Sequence, residues 1–502
     1  MLSLALALAV LPAQSPSDPD HFEQSARTVT ALAEATRAPR SASPGFSVVM
    51  VREGQAPVIY VDGVADVGTG APVTPDTPFY IASMTKAYVG LMAETLDRRG
   101  VFDIDQSMAD VWPDLRMQGV DPTQVTFRQL LTHQGPFTAD ILSTRTAYID
   151  EPSPADIPGL LALAEPRAPG FDYQNTGYLL YGAALQARTG KHWRQWLGET
   201  VFEPLGLTHT DTRMSGPDVA APHHWVGDGL WDTTSAKTDP LMHAAGGIVT
   251  SSRDMGAWLL ANLHAGDAAL PPEVWAIAHQ GYVRTDIRNG GFDCQTYALG
   301  WNVCLLNGET ILVHGGGYTG ARTGMALAPG RGVGVAVMAN SDSMTGDLSV
   351  QLIRAFLSLE IDPAYTPPEP AAFGQAYAEL LVEQAAARER NVERSRQDAK
   401  WNGWNWRPTP AQLDAYVGRY RGDLGELIIE RDGDRLRSRL GMMVRTLEPA
   451  SADLFAAQSD AYGALEDMTF ARSGDVPDSV VWDGDRYSRV EEAYSDGVHG
   501  RR

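Results

Sequence analysis

Apolar and polar positions change their period several times along the chain, and each change predicts a different kind of element. Runs at 46–51 and 58–61, rich in valine and with turn residues between them, predict an opening antiparallel strand pair. Gly246-Gly247-Ile248-Val249-Thr250 leads into Ser251-Ser252-Arg253-Asp254, a capping-box pattern that starts a helix and makes those serines structural. Four late apolar runs, 297–306, 310–314, 323–328 and 332–338, are parted by Gly and Asn and predict four strands. Strands at both ends of 45–360 with amphipathic helical stretches between them predict an α/β layer with a helical insert.

The pattern changes after residue 361. Pro363, Pro367, Pro368 and Pro370 read as a linker, and 371–400, rich in Glu and Arg on most faces, reads as a solvated helix. Residues 361–407 are therefore linker and charged helix. Beyond Pro408 the chain reads as hairpins: Asp432-Gly433 turns between two apolar strands, and Trp482-Asp483-Gly484-Asp485 repeats the device. Residues 408–502 are expected to form a separate all-β domain, of a size that can fold alone.

Composition narrows the function classes. The chain has 502 residues, 44% hydrophobic and 20% charged, which is globular and long enough for two or three domains. Forty Lys and Arg against 62 Asp and Glu leave a formal charge of −22, a poor match to nucleic acid or an anionic membrane surface. No apolar run approaches the ~20 residues needed to span a bilayer. Residues 1–13 are almost wholly apolar and precede Gln14-Ser15-Pro16-Ser17; they read as a secretory signal peptide, the other readings being a buried helix or a mis-called start. Export to the periplasm or medium would make a bond between Cys294 and Cys304, the only two cysteines, feasible. Two cysteines supply no four-thiolate zinc site, and neither a metal nor another cofactor is expected.

Several familiar chemistries fail. No serine sits in Gly-x-Ser-x-Gly, and no histidine is followed by glutamate as in His-Glu-x-x-His. Gly315-Gly316-Gly317-Tyr318-Thr319-Gly320 matches Gly-x-Gly-x-x-Gly, but a strand rather than a helix is expected after it, which rejects dinucleotide binding. Ser83-Met84-Thr85-Lys86 survives. Residues three apart on a helix face the same way, so hydroxyl and amine can meet. The stretch behind them, Ala87-Tyr88-Val89-Gly90-Leu91-Met92-Ala93, is nearly all apolar, and desolvation there lowers a lysine's pKa toward that of a usable base. The chain holds four lysines, Lys86, Lys191, Lys237 and Lys400, so arginine supplies 36 of its 40 basic residues. Arginine cannot be deprotonated in proteins, so a lysine in this apolar setting points to proton transfer; alone, it also reads as a snorkelling side chain.

The chain resembles the serine β-lactamases and penicillin-binding proteins, in particular the class C β-lactamase and D-Ala-D-Ala carboxypeptidase branch with its esterase and D-aminopeptidase relatives. Ser83 and Lys86 match Ser-x-x-Lys, Tyr173-Gln174-Asn175 matches Tyr-x-Asn, and His314-Gly315-Gly316 matches the His-x-Gly variant of Lys-Thr-Gly. The flanks Val125 to His133, Phe202 to Leu207 and Ala244 to Gly247 are similar too, and the resemblance covers 25–360. Three ordered motifs are far more specific than one. Gln134-Gly135-Pro136-Phe137 departs from the Thr-Ser-Gly that relatives often carry after His133, a residue read here as structural. The tail resembles an appended lipocalin-like domain.

The resemblance implies a mixed α/β, β-lactamase-like fold, an antiparallel sheet with flanking helices, followed by a small barrel. It implies a serine hydrolase in which Ser83 forms an acyl-enzyme and Lys86 and Tyr173 share the proton traffic, either being the resting base. Asn175 would hold the substrate amide or Lys86. The oxyanion would sit between the N–H groups of Ser83 and Gly317, although Gly315, Gly316 and Gly317 read equally as a plain turn. Small molecules or peptides are the expected partners: esters, β-lactams, or D-amino-acid peptides and amides. The alternative is a penicillin-binding type of protein, acylated or binding peptidoglycan-like ligands without efficient turnover. Relatives that hydrolyse β-lactams most often place lysine where His314 stands. A mostly neutral histidine favours neutral esters or amides, unless Arg322 folds back beside His314 and restores the charge. Nothing in the sequence bears on oligomeric state.

Overall fold

The computed structural model describes residues 19–37, 43–216, 218–227, 230–234, 236–264, 270–289, 291–341, 346–458 and 465–490. The apolar residues 1–13 lie outside them. Strand β1 (Gly45–Arg52) is buried at every position because its alternate side chains enter two different cores. Val49 and Val51 join one, Phe46, Val48 and Met50 the other. It pairs antiparallel with β2 (Val58–Asp66) on one side and with the last strand of the sheet on the other. The short β3 (Ala71–Pro72) closes that edge. The remaining strands are β4 (Val283–Asn289), β5 (Phe292–Tyr297), β6 (Asn302–Leu306), β7 (Glu309–Tyr318), β8 (Ala321–Ala328) and β9 (Val333–Ala339). They make a nine-stranded sheet in the order β4-β5-β6-β7-β8-β9-β1-β2-β3.

Helices cover both faces. On one lie α1 (Pro19–Ala35), α5 (Gly346–Ile361) and part of α6 (Pro370–Arg396), with Phe22, Phe356, Phe373 and Tyr377 in a shared core. The other face receives the insert between β3 and β4, whose main helices are α2 (Thr85–Arg98), α3 (Thr176–Thr189) and α4 (Ser252–His264). Half of the expected capping box is made at α4: Asp254 N–H donates to Ser251 Oγ at 3.2 Å. The Asp254 carboxylate turns instead to His209 N–H at 2.6 Å and the Thr210 hydroxyl at 2.7 Å.

Four expectations change. The run 297–306 is not one strand but the end of β5, a turn and β6, with Gly300 at φ 84°. Strand β4 has no counterpart in the apolar pattern because Arg284, Asp286 and Arg288 interrupt it and a bulge breaks its register. The strand expected at 310–314 runs on to Tyr318, so Gly315, Gly316 and Gly317 are strand residues and not a turn. Helix α6 is not solvated throughout, since Phe373, Tyr377 and Leu381 are buried in the core shared with α1 and α5, on the sheet face opposite the insert.

After α6 the chain forms a closed antiparallel barrel: β10 (Gly418–Gly422), β11 (Gly425–Asp432), β12 (Arg435–Leu440), β13 (Met443–Ser451), β14 (Leu454–Gln458), β15 (Leu465–Ala471), β16 (Ser479–Trp482) and β17 (Asp485–Arg489). Its interior holds Tyr420, Leu427, Leu436, Leu447, Phe455 and Phe470. Closure leaves no unpaired sheet edge. The β12–β13 turn reaches the larger domain, where Met442 N–H donates to Tyr148 O at 2.8 Å. The Tyr318 hydroxyl lies 2.9 Å from Ala147 O and 3.5 Å from Met442 Sδ. Among the described residues no helix is long and apolar enough to cross a membrane.

Candidate active site

Ser83 is placed by a short strand and a sharp turn. Phe79 and Tyr80 pair with Thr250 and Val249, and Ile81 N–H donates to Ile248 O at 3.0 Å. The backbone then bends at Ala82, a non-glycine residue at φ 45°, and enters a 3₁₀ turn, Ala82–Met84, that runs into α2. A left-handed alanine costs roughly 1–2 kcal/mol and persists only where its surroundings impose it. Half-buried Ser83 thus stands at the positive end of α2, a helix buried all round from Thr85 to Leu96.

Lys86 is fully buried. Its Nζ lies 3.0 Å from Ser83 Oγ, 2.8 Å from Asn175 Oδ1 and 2.8 Å from Ala245 O. The rings of Tyr173 and Tyr178 lie 5.0 and 5.6 Å away. As an ammonium the group donates to all three oxygens; as a neutral amine it keeps the bonds to Asn175 and Ala245 and turns its lone pair to the Ser83 hydroxyl. Burial, and secondly the Lys237 cation, hold its pKa well below the usual lysine value. Tyr173 is 43% exposed on the cleft rim. Burial of its hydroxyl end raises the phenol pKa more than a hydrogen bond with Ser83 lowers it, so the phenol stays protonated near neutral pH.

Two elements support this pair. Asn175 immediately precedes α3, and the turn before it is fastened to His133. Gln174 N–H donates to His133 Nδ1 at 3.1 Å, Asp172 N–H to His133 O at 2.9 Å, and the His133 ring packs tilted against Tyr173 with centres 4.4 Å apart. The other support is β7. His314 is 2% exposed. Its Nδ1–H donates to Gly315 O at 2.7 Å, which fixes the tautomer, and Tyr297 O–H donates to Nε2 at 3.2 Å. Burial first and Lys86 second push its pKa down to about 3, so the ring is neutral and both nitrogens are engaged within the protein.

The glycines after His314 have separate duties. A Cβ on Gly316 would lie 2.2 Å from Ile81 O, so only glycine lets β7 approach the turn that holds Ser83. Gly315 and Gly317 are exposed. Pairing of β6 with β7 stops at Val313, while β8 pairs on to Tyr318; one edge of 314–318 is therefore outside the ladder. Arg322 pairs with Gly317, and Met325 is the residue across from His314. Thr323 donates to Ile81 O at 3.1 Å, and its neighbour Arg322 faces the opposite side of the sheet. The structure thus gathers Ser83, Lys86, Tyr173, Asn175 and the Gly316–Gly317 edge, sets His314 behind them, and does not bring Arg322 beside His314.

Sequence reasoning did not find the Ala245 carbonyl, Tyr297 or the partners through which His133, read as structural, holds the turn before Asn175, because they are distant in sequence and no spacing marks them. Lys237 stood out only by scarcity. Among the described residues no three His, Cys, Asp or Glu side chains gather as a metal-binding group.

Residues 26–359 match the Beta-lactamase family model, well over half of the chain. The chain belongs to that family of serine hydrolases, and its fold is β-lactamase-like with an eight-stranded barrel appended. It is 26% identical over 322 residues to Protein flp of Staphylococcus aureus (strain NCTC 8325 / PS 47), a match spanning 60% of each chain. To the Unguisins hydrolase ungD' of Aspergillus campestris it is 25% identical over 401 residues, 76% of this chain and 72% of the relative. Among solved structures, the octameric penicillin-binding protein homologue from Pyrococcus abyssi aligns with a TM-score of 0.56 at 20% identity, covering 94% of this chain and 99% of the other. The D-amino acid amidase from Ochrobactrum anthropi SV3 aligns at 0.57 and 21%, covering 67% and 98%.

Proposed function

We propose that this protein hydrolyses amides or esters of D-amino-acid type through an acyl-enzyme on Ser83, with Lys86 as the resting base. The observation that carries the proposal is the 3.0 Å approach of Lys86 Nζ to Ser83 Oγ, made by a buried amine whose other partners are neutral oxygens. The depressed lysine and the raised phenol support these roles, with Lys86 accepting and Tyr173 donating. Ser83 passes its proton to Lys86 as Oγ bonds to the carbonyl carbon. The oxyanion is held by the N–H groups of Ser83 and Gly317, an arrangement worth about 10²–10³ in rate per donor in other hydrolases. As the carbon–nitrogen or carbon–oxygen bond breaks, Tyr173 gives its proton to the leaving group and is recharged from Lys86. Water then attacks the ester by the same route and frees the acid.

The substrate class rests on charge. His314 is neutral and occupied, and Arg322 faces the other side of the sheet, so neither offers the fixed cation that a β-lactam carboxylate would seek. The names of the D-amino acid amidase and of the unguisins hydrolase support an amide or peptide bond. Export belongs to the same proposal, supported by the apolar residues 1–13 and by the bond between Cys294 and Cys304.

The test compares a chromogenic D-amino-acid anilide, a neutral ester and a cephalosporin, with intact-mass measurement after incubation. Wild type should turn over the first two faster than the third, and Ser83→Ala should lose both turnover and the covalent adduct. A stable adduct without turnover would favour the penicillin-binding alternative, and labelling that survives in Ser83→Ala would overturn the nucleophile. Intact mass of protein recovered outside the cytoplasm also reads whether the first residues are removed.

A further inference from the structure

The mechanism leaves one buried amine unused. Lys237 is 4% exposed, and its Nζ donates to Leu241 O at 3.0 Å and sits 4.6 Å from the centre of the Tyr318 ring. That ring belongs to the residue after Gly317, at the end of β7. Lys237 and the carbonyl held by Lys86 stand at opposite ends of one short loop, 237–245. Arg194 fastens the middle of that loop, its Nη2 donating to Asp239 O at 2.6 Å and Met242 O at 2.5 Å. The loop's own acid does not neutralise Lys237. The Asp239 carboxylate is taken by Met214 N–H at 2.7 Å and by the Ser215 hydroxyl at 2.6 Å.

We propose that Lys237 is a positioning residue for this reaction, a second cation behind the oxyanion strand that keeps Lys86 unprotonated and ready to receive the Ser83 proton. This rests on the reading of Ser83 and Lys86 given above. Two cations near one loop repel each other strongly in a low-dielectric setting, so a proton held by one is withheld from the other. The groups facing Lys86 from its surroundings are His133, His243 and His314, all held neutral by burial, the phenols of Tyr173 and Tyr178, and Lys237. Those facing Lys237 are His243, Lys86 and the Tyr318 ring. Among the described residues none is a carboxylate. Burial lowers Lys237 to about 7, so it gains its charge as pH falls through neutrality. A chain that uses arginine for 36 of its 40 basic residues keeps lysine here, where a titrating amine has a task.

The test is the pH profile of kcat/KM for a neutral ester, with thermal unfolding to confirm that each variant folds. Lys237→Met removes the cation, so Lys86 should protonate at higher pH. The acid limb should move up by about half a pH unit or more, read as a rate at least about threefold lower on that limb, with the alkaline plateau kept. Lys237→Arg keeps a permanent charge, and its limb should stay at or below that of wild type. An unmoved limb in Lys237→Met, a uniform loss at every pH, or an upward shift in Lys237→Arg would overturn the proposal. A wild type that no acylating probe modifies would remove the Ser83–Lys86 reading, and this one with it.

Discussion

At the scale of the residue, the site is organised around a single amine whose state depends on what it cannot reach. Among the described residues Lys86 meets Ser83, Asn175 and Ala245, all neutral oxygens, and no carboxylate. Burial without a counter-ion favours the uncharged form, and the loss of three hydrogen-bond donations to one charge is offset by the lone pair turning to Ser83. Lys86→Arg tests this directly. The guanidinium keeps the charge and cannot give up its proton, and its planar fork does not match three convergent oxygens. Acylation by a small ester should fall by about 10²–10⁴, the usual worth of a positioned base, in a protein that still unfolds cooperatively. A rate within a few-fold of wild type would mean that the position supplies charge alone. His314 shows the reverse relation between motif and role. The motif expects it on a late strand and β7 carries it, but which of its atoms are engaged follows from Tyr297 and the Gly315 carbonyl, which no motif spacing encodes.

At the scale of the element, what was legible is what has a period or a turn signal. The opening strand pair, the entry to α4, strands β8 and β9 and the hairpins of the tail all follow from apolar runs and Gly, Asn or Asp-Gly turns. The Ser83 turn, the turn before Asn175 and strand β7 were legible as motifs. What was not legible is the turn inside 297–306, since Ala298-Leu299-Gly300-Trp301 is apolar enough to pass as strand. Its real task is packing. A Cβ on Gly300 would lie 2.4 Å from the Lys86 carbonyl, and one on Gly90 of α2 would lie 2.4 Å from Leu299 O. The turn is seated directly on the helix that carries Lys86. Opposite each other on the strands that flank it, Cys294 and Cys304 are joined as a buried disulfide. Gly300→Ala and Gly308→Ala separate conformation from contact. Both glycines have left-handed φ, 84° and 81°, but around Gly308 nothing lies within 4 Å of an added Cβ. Each should lose roughly 1–2 kcal/mol for the backbone alone, and Gly300→Ala should lose more, because backbone on α2 must move. Urea unfolding reads the first effect, and only Gly300→Ala should also slow acylation of Ser83. Equal losses and equal rates in the two variants would show that the turn does not support the helix.

At the scale of the whole molecule, the barrel is a separate closed core that nonetheless touches the catalytic domain at one informative place. The turn between β12 and β13 lays Gly441 and Met442 against Tyr148, and Tyr148 stacks on Tyr318 with ring centres 5.6 Å apart. Tyr318 directly follows Gly317, so the barrel rests on the end of the strand whose free edge lies next to Ser83. No catalytic set was legible in the tail, and the contact is equally invisible in sequence, since Gly441 and Tyr148 are nearly 300 residues apart. The expected consequence is control of access and not chemistry. Gly441 has φ 58°, and a Cβ there would lie 2.3 Å from Tyr148 O, so Gly441→Val cannot keep the contact. The barrel should remain folded around Tyr420, Leu427 and Phe455, which lie away from the turn in its own core. A small neutral ester needs only Ser83, Lys86 and the β7 edge, and its kcat/KM should change little. A D-peptide long enough to reach past Tyr318 meets the wall that the turn provides, and its kcat/KM should change by at least about fivefold, the equivalent of ~1 kcal/mol of transition-state contact. The ratio of the two substrates in wild type and variant is the measurement. A ratio that does not move would free the barrel from any part in selecting substrates, and a parallel fall for both would mean that it holds β7 in place for the chemistry itself.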